Sequence, residues 1–197
     1  MNFSAVILAG GKSSRMGRDK AWLETGGRTL LARQIELARE AGAVEVLISG
    51  RADTDYSAFG CAMLQDKFPD AGPLAGIERA LHAAKSPLLL VLAVDLPALS
   101  AGFLRRLAAD CSKTSGAVPK LANHIEPLAA FYPIAAHKPA LARLERGDFA
   151  MKDFAGACVK SGLARFIEMP TNEAKHFANW NSPADLTPTP SKACLTS

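Results

Sequence analysis

The sequence has no C-x-x-C pair. Its four cysteines, Cys61, Cys111, Cys158 and Cys194, stand far apart, which argues against a zinc site or a disulfide framework and fits the reduced thiols of a cytosolic protein. A basic n-region followed by a long apolar run is missing from the start, so no signal peptide is expected. No apolar stretch reaches the roughly 18 residues that a membrane span needs. The longest candidate, Pro87 to Leu99, is broken by Asp95 and Pro97. Basic residues interleaved with aromatics, as in proteins that bind single-stranded nucleic acid, are also lacking. Neither nucleic acid nor a membrane is therefore an expected partner. The charge excess is small, +4 over 197 residues, and suits a small anionic ligand without requiring one. Internal repeats are absent.

What is present is an alternation of apolar runs and helical patterns. Phe3–Leu8, Val44–Ser49, Cys61–Gln65 and Leu88–Val94 read as strands. Leu88–Val94 is almost continuously apolar, as in a strand covered on both faces. Thr29 caps a helix that Gly42 stops after Ala41; Pro73 opens a second, and Ser100 caps a third over Ala101–Asp110. The second half is less regular. Strands are expected over Gly116–Lys120, Glu126–Tyr132 and Ala164–Met169, with helices over Ala136–Glu145 and after Ala150. The alternation predicts an α/β fold with a mostly parallel central sheet, in one domain over residues 1–187. Residues 188–197, rich in Pro, Thr and Ser, read as a disordered tail. Parallel sheets bind ligands beyond the carboxyl ends of their strands, and Ala9–Lys20, Asp66–Gly76 and Asp95–Pro97 fall there.

Gly11-Lys12-Ser13 suggests a Walker A loop, but the glycine required five positions earlier is Val6, within a strand. No G-x-G-x-x-G occurs either. What remains is two glycines followed by Lys12, Arg15, Arg18 and Lys20: small residues that admit a phosphate, and cations to neutralise it. An ordinary turn with solvated basic residues is the alternative. Asp95, at the end of an apolar strand, is either a Mg²⁺ ligand or a turn former. In "DKFPDAGPLAGI" Asp66 and Asp70 are ligand carboxylates or merely solvated, and Gly76 marks either close approach of a ligand or a helix-packing contact. Ser182, Pro183 and Asp185 form a near capping box that leaves Asn179 and Asn181 for a substrate or a turn. His124 reads as a surface-turn histidine rather than a base.

Five segments, "LAGGKSSRMGRDKAWLE", "FPDAGPLAGI", "VLAVDLPAL", "EPLAAFYP" and "FANWNSPADL", together resemble the molybdenum cofactor guanylyltransferase family, in that family's order from Val6 to Leu186. The resemblance implies a Rossmann-like three-layer nucleotidyltransferase fold. It implies transfer of GMP from GTP to the terminal phosphate of molybdenum-molybdopterin, with Mg²⁺ as cofactor and pyrophosphate as by-product. It also implies molybdoenzymes and cofactor-insertion proteins as partners. By the same resemblance Lys12, Arg15, Lys20 and Asp95 are the catalytic set, Asp95 holding the metal. Leu8, Ala9, Gly10, Gly11, Lys20, Asp66, Gly72, Pro73 and Leu74 bind the nucleotide, and Asn179 and Asn181 lie near the pterin. "LAGG" is the form typical of guanylyl enzymes. The family often has Asn just after its second strand, where this chain reads Ser49-Gly50-Arg51, and Pro188 and Pro190 cut short its last helix. The rivals are a nucleotidyltransferase using CTP or a sugar phosphate acceptor, and a nucleotide-binding partner protein without catalysis.

Overall fold

Every residue of the first strand, β1 (Ser4–Leu8), is buried, because in this computed structural model it lies in the middle of the main sheet. The structure describes residues 1–10, 20–122 and 124–177. Gly11, Lys12, Arg15, Asn179, Asn181, the capping box at Ser182 and the Pro-rich end lie outside the described residues.

After β1 come a short hairpin of β2 (Glu24–Thr25) and β3 (Arg28–Thr29), then α1 (Leu30–Ala41), β4 (Glu45–Ser49), β5 (Ala62–Leu64), α2 (Pro73–Ala83), β6 (Leu88–Ala93) and α3 (Ala101–Ala109). The second half adds β7 (Gly116–Leu121), β8 (His124–Ile125), β9 (Ala129–Pro133), α4 (His137–Glu145), α5 (Met151–Lys160) and β10 (Ala164–Glu168). The main sheet has the order β5-β4-β1-β6-β9. Its first four strands are parallel, and β9 runs antiparallel to β6 with Leu92 opposite Ala129.

Successive side chains of a strand point to opposite faces, so β1 feeds two cores. Ala5 and Ile7 join Leu90 and Leu92, with Leu31, Ile35, Phe103 and Leu107 from α1 and α3. Val6 and Leu8 join Leu89 and Val91, with Leu74, Ile77, Ala140 and Phe154 from α2, α4 and α5. Each fully buried Leu, Ile or Phe contributes about 1.5–3 kcal/mol, and this burial outweighs the modest helix propensity of the segments. The expected caps are in place. The Thr29 hydroxyl accepts from Ala32 N at 3.1 Å, and that of Ser100 from Phe103 N at 3.2 Å. Gly42, at φ 106°, donates its N–H to the last carbonyls of α1.

The second half departs from its sequence-based expectation. The strand expected over Glu126–Tyr132 is β9, three residues later, and the segment before it turns to pair β8 with β7. The strands do not all join one sheet: β10, β7 and β8 form a second, three-stranded sheet. At Gly116, β7 passes β9 so closely that an added Cβ would stand 1.9 Å from the carbonyl oxygen of Phe131. Gly116→Ala should therefore cost about 2 kcal/mol or more, since the obstacle is backbone and cannot rotate away. Urea denaturation measures it; a midpoint equal to that of the parent chain would contradict the contact.

Gly76 is resolved in the same way. A Cβ there would meet Ser49 Oγ at 2.1 Å and Leu8 Cδ2 at 3.2 Å, so the glycine lets α2 pack against β1 and β4 rather than admitting a ligand. No helix among the described residues is long and apolar enough to cross a membrane.

Candidate functional site

The parallel strands β1, β4, β5 and β6 all end at one edge of the sheet, and the residues that follow them build the site. After β1 the chain is held against β4: the amides of Ala9 and Gly10 both donate to the Ser49 carbonyl, at 2.8 and 3.1 Å. Those two N–H groups are thus engaged within the protein, and Gly10 is exposed while Ala9 belongs to the core. Gly10 passes over Gly50 at ordinary contact distance, an added Cβ lying 3.6 Å from the Gly50 carbonyl carbon.

Across β6 from this point, Asp95 is reached by Lys20, with Nζ 3.0 Å from Oδ2. Lys20 opens a single 3-10 turn, Lys20–Trp22, anchored by the buried Ala21. Residues 75 apart in the chain therefore form one ion pair, with side chains only 22% and 25% exposed. The partial burial keeps solvent from screening the pair fully and leaves it open on one side.

At the same edge of the sheet, a cavity of 790 Å³ opens among the ends of β1, β4 and β5 and the start of α2. Leu8, Gly10, Asp66, Gly72 and Pro73 line it, as do Gly50, Arg51, Asp53 and Asp70. Leu74 does not: its side chain is fully buried in the core beneath α2. Asp66 is exposed on this wall, yet partial burial of its carboxyl pushes its pKa up. A hydrogen bond from Ser49 and the charge of Arg79 pull it back, and Glu78 adds to the rise. The entry to α2 is shaped by backbone. Gly72 has φ 66° and ψ −154°, a conformation for glycine alone, and Asp70 has φ 60°. Pro73 then sits in the first turn, where a missing N–H costs nothing.

The β4 side of the cavity carries features that the sequence reading passed over. Tyr56, 2% exposed, fills the space above Gly50, where a Cβ would lie 2.5 Å from its ring. Its hydroxyl accepts from Arg51 N at 3.1 Å. The Arg51 guanidinium grips Asp53 through two hydrogen bonds, of 2.9 and 2.7 Å, and holds that carboxyl down to a pKa of about 2. Trp22 stacks on Tyr56 with ring centres 6.1 Å apart. Glycine at position 50 is thus coupled to a tyrosine six residues later, a pairing that only the folded chain reveals.

The chain resembles known proteins over most of its length. A family model described as "MobA-like NTP transferase domain" matches residues 5–161. A probable molybdenum cofactor guanylyltransferase of Opitutus terrae is 44% identical over 185 residues, 92% of each chain. The chain belongs to the molybdenum cofactor guanylyltransferase family. A second family member, from Carboxydothermus hydrogenoformans, is 34% identical over 93% of both chains. In fold, this transferase is similar to molybdopterin-guanine dinucleotide biosynthesis protein A from Archaeoglobus fulgidus, with a TM-score of 0.73, 22% identity, and 94% and 95% of the two chains covered. The expected α/β nucleotidyltransferase fold with a mostly parallel sheet is therefore the observed one.

The transferase brings Lys20 and Asp95 together at the strand-end edge that also carries the cavity lined by Asp66. Family members of this kind work with a divalent ion. Among the described residues no cluster of three or more His, Cys, Asp and Glu could cage a metal. Asp95 is instead a single hard oxygen donor beside open space. That suits an ion bound by one or two carboxylates and completed by phosphate oxygens and water.

Proposed function

We propose that this transferase moves GMP from GTP to the terminal phosphate of molybdenum-molybdopterin, and that Asp95 and Lys20 work at the reacting phosphates. The supporting observation is the 3.0 Å pair of Lys20 and Asp95 at the same strand-end edge of the sheet as the cavity that displays Asp66, in a chain of this family. An oxygen of the acceptor phosphate attacks the α-phosphorus of GTP. One P–O bond forms, the bond to the β-phosphate oxygen breaks, and pyrophosphate leaves with that electron pair. The nucleophile is already ionised, so no general base is needed; positioning and charge neutralisation carry the reaction.

Lys20 places a cation at the triphosphate and is held there by Asp95. Bound at Asp95, Mg²⁺ would neutralise charge on phosphate oxygens. Asp66 accepts hydrogen bonds from the guanine edge, with Gly72 and Pro73 shaping the floor beneath the base. Lys12 and Arg15 add charge around the phosphates, and Asn179 and Asn181 serve the acceptor. The product supplies molybdoenzymes and the proteins that insert the cofactor into them.

The test is direct. Purified protein is given Mg²⁺, molybdenum-molybdopterin and each of GTP, CTP and ATP in turn, and pyrophosphate release is followed. GTP alone should support rapid release. Equal release with CTP, or none with GTP, overturns the assignment.

A further inference from the structure

The β9 side of Asp95 carries an ion pair that the proposed chemistry has not used. His124 Nε2 lies 2.9 Å from Glu126 Oε1. The two side chains differ in access: Glu126 is 18% exposed and His124 is 49% exposed. Their placement follows from the fold. β8 pairs with β7, bringing His124 opposite Leu121. The Glu126 amide donates to the Pro119 carbonyl at 2.9 Å, and the Ala93 amide donates to Leu128 at 2.9 Å, so the segment before β9 is fixed against the end of β6. Burial raises the Glu126 pKa; His124 and Lys152 oppose the rise, and repulsion from Asp95 adds to it. The antiparallel register of β6 and β9, continued by the Ala93–Leu128 bond, sets Glu126 beside Asp95, on the flank away from the 790 Å³ cavity.

Two anions must meet in this reaction, and they must come from different directions. The nucleotide cavity is built by the ends of β1, β4 and β5, on one side of β6 in the sheet order; β9 is on the other. An acceptor phosphate that approaches opposite the departing pyrophosphate enters from the β9 side. It needs positive charge to offset Asp95 and the α-phosphate. His124 and Lys152, an exposed residue near the start of α5, bring that charge to this flank.

We infer that His124, oriented by Glu126 and assisted by Lys152, is the seat for the terminal phosphate of the acceptor. The inference rests on the proposed function. Glu126 accepts a hydrogen bond from Nε2–H and fixes the ring, which leaves Nδ1 for the incoming phosphate. An imidazolium has two N–H donors, one for the carboxylate and one for the phosphate. Glu126 is a positioning residue in this arrangement, and His124 and Lys152 make the contact. A nearby carboxylate would repel a phosphate if it stood alone; paired with His124 it serves to aim a cation.

The experiment measures binding, separately from turnover. Metal-free molybdopterin, which carries the phosphate monoester, is titrated into wild type, His124→Gln and His124→Lys in the absence of GTP, and GTP is titrated into the same proteins without the acceptor. The expected result is an acceptor Kd about tenfold weaker for His124→Gln, the size of one lost charge-assisted hydrogen bond. His124→Lys should stay within about threefold of wild type, because a cation returns to the same place. GTP binding should be the same in all three. A purely structural histidine would not be rescued by lysine. Unchanged acceptor binding in His124→Gln, a lysine variant as weak as the glutamine one, a parallel loss of GTP affinity, or no acceptor binding to wild type would each overturn the inference. Failure of the guanylyl assignment is read elsewhere, in pyrophosphate release by wild type, so the two can fail separately.

Discussion

Asp95→Asn lowers kcat/KM for guanylyl transfer by roughly 1,000-fold or more, the scale of losing a preorganised charge at a reacting centre. The substitution keeps the size and shape of the side chain and removes its charge. It removes the anionic partner that now lies 3.0 Å from Lys20 Nζ and so loosens the lysine's hold at the triphosphate. It also weakens a hard donor that would anchor a divalent ion there. The fold should be retained, because the pair lies at the end of β6 rather than within it, and because partly exposed ion pairs contribute little to stability. The checks are circular dichroism and a melting curve beside single-turnover kinetics. A folded Asp95→Asn protein with near wild-type kcat/KM would remove Asp95 from the chemistry.

Asp66→Ala reduces GTP affinity by roughly 100-fold and abolishes the preference for GTP over CTP and ATP. Guanine presents N1–H and an exocyclic amine on one edge, and a single carboxylate accepts from both. Cytosine and adenine present an acceptor there, which the same carboxylate repels. Calorimetric titration of the three nucleotides into wild type and variant distinguishes this role from a contact to the ribose. A ribose contact would weaken all three alike, and tighter CTP than GTP binding to wild type would favour a cytidylyl enzyme. The raised pKa of Asp66 adds a pH signature. The ionised form is the one that accepts two hydrogen bonds, and burial makes that form harder to keep. GTP affinity should therefore fall as pH drops through this raised value, at a higher pH than an ordinary aspartate would give. Stability moves the other way: the ionised carboxyl is disfavoured in the folded protein, so protonating Asp66 as pH falls through its raised pKa favours the fold. Loss of GTP binding at low pH is thus an effect on the site and not on folding.

Local features were legible in the sequence because local physics decides them. The caps of α1 and α3 follow from Thr29, Gly42 and Ser100, and the buried strands β1 and β6 from unbroken apolar runs. The β2–β3 hairpin was also written there, in Gly26-Gly27 between Thr25 and Arg28, and both glycines have positive φ. It escaped notice because strands of two residues leave no hydrophobic period. Long-range contacts were not legible. Nothing near Gly116 announces the carbonyl of Phe131 that it must clear. Nothing near Gly50 announces the ring of Tyr56. His124 resembles many turn histidines until β9 brings Glu126 within the field of Asp95. Asp95 and Asp66 stood out because each ends a strand, and the strand ends are where a parallel sheet gathers its polar residues.

The central place of β1 bears on how the chain is made. Its partner β4 begins at Glu45, but the strand on its other side begins only at Leu88, with Ser4 opposite Leu89. Chains leave the ribosome at roughly 5–20 residues per second, so those 85 or so residues take on the order of ten seconds. Throughout that time the five residues of β1, all destined for the interior, have one open edge and uncovered faces. The strand synthesised first is thus among the last to be enclosed. A nascent chain halted before β6 would expose that edge to any other extended chain, and the need for a chaperone should be greatest there.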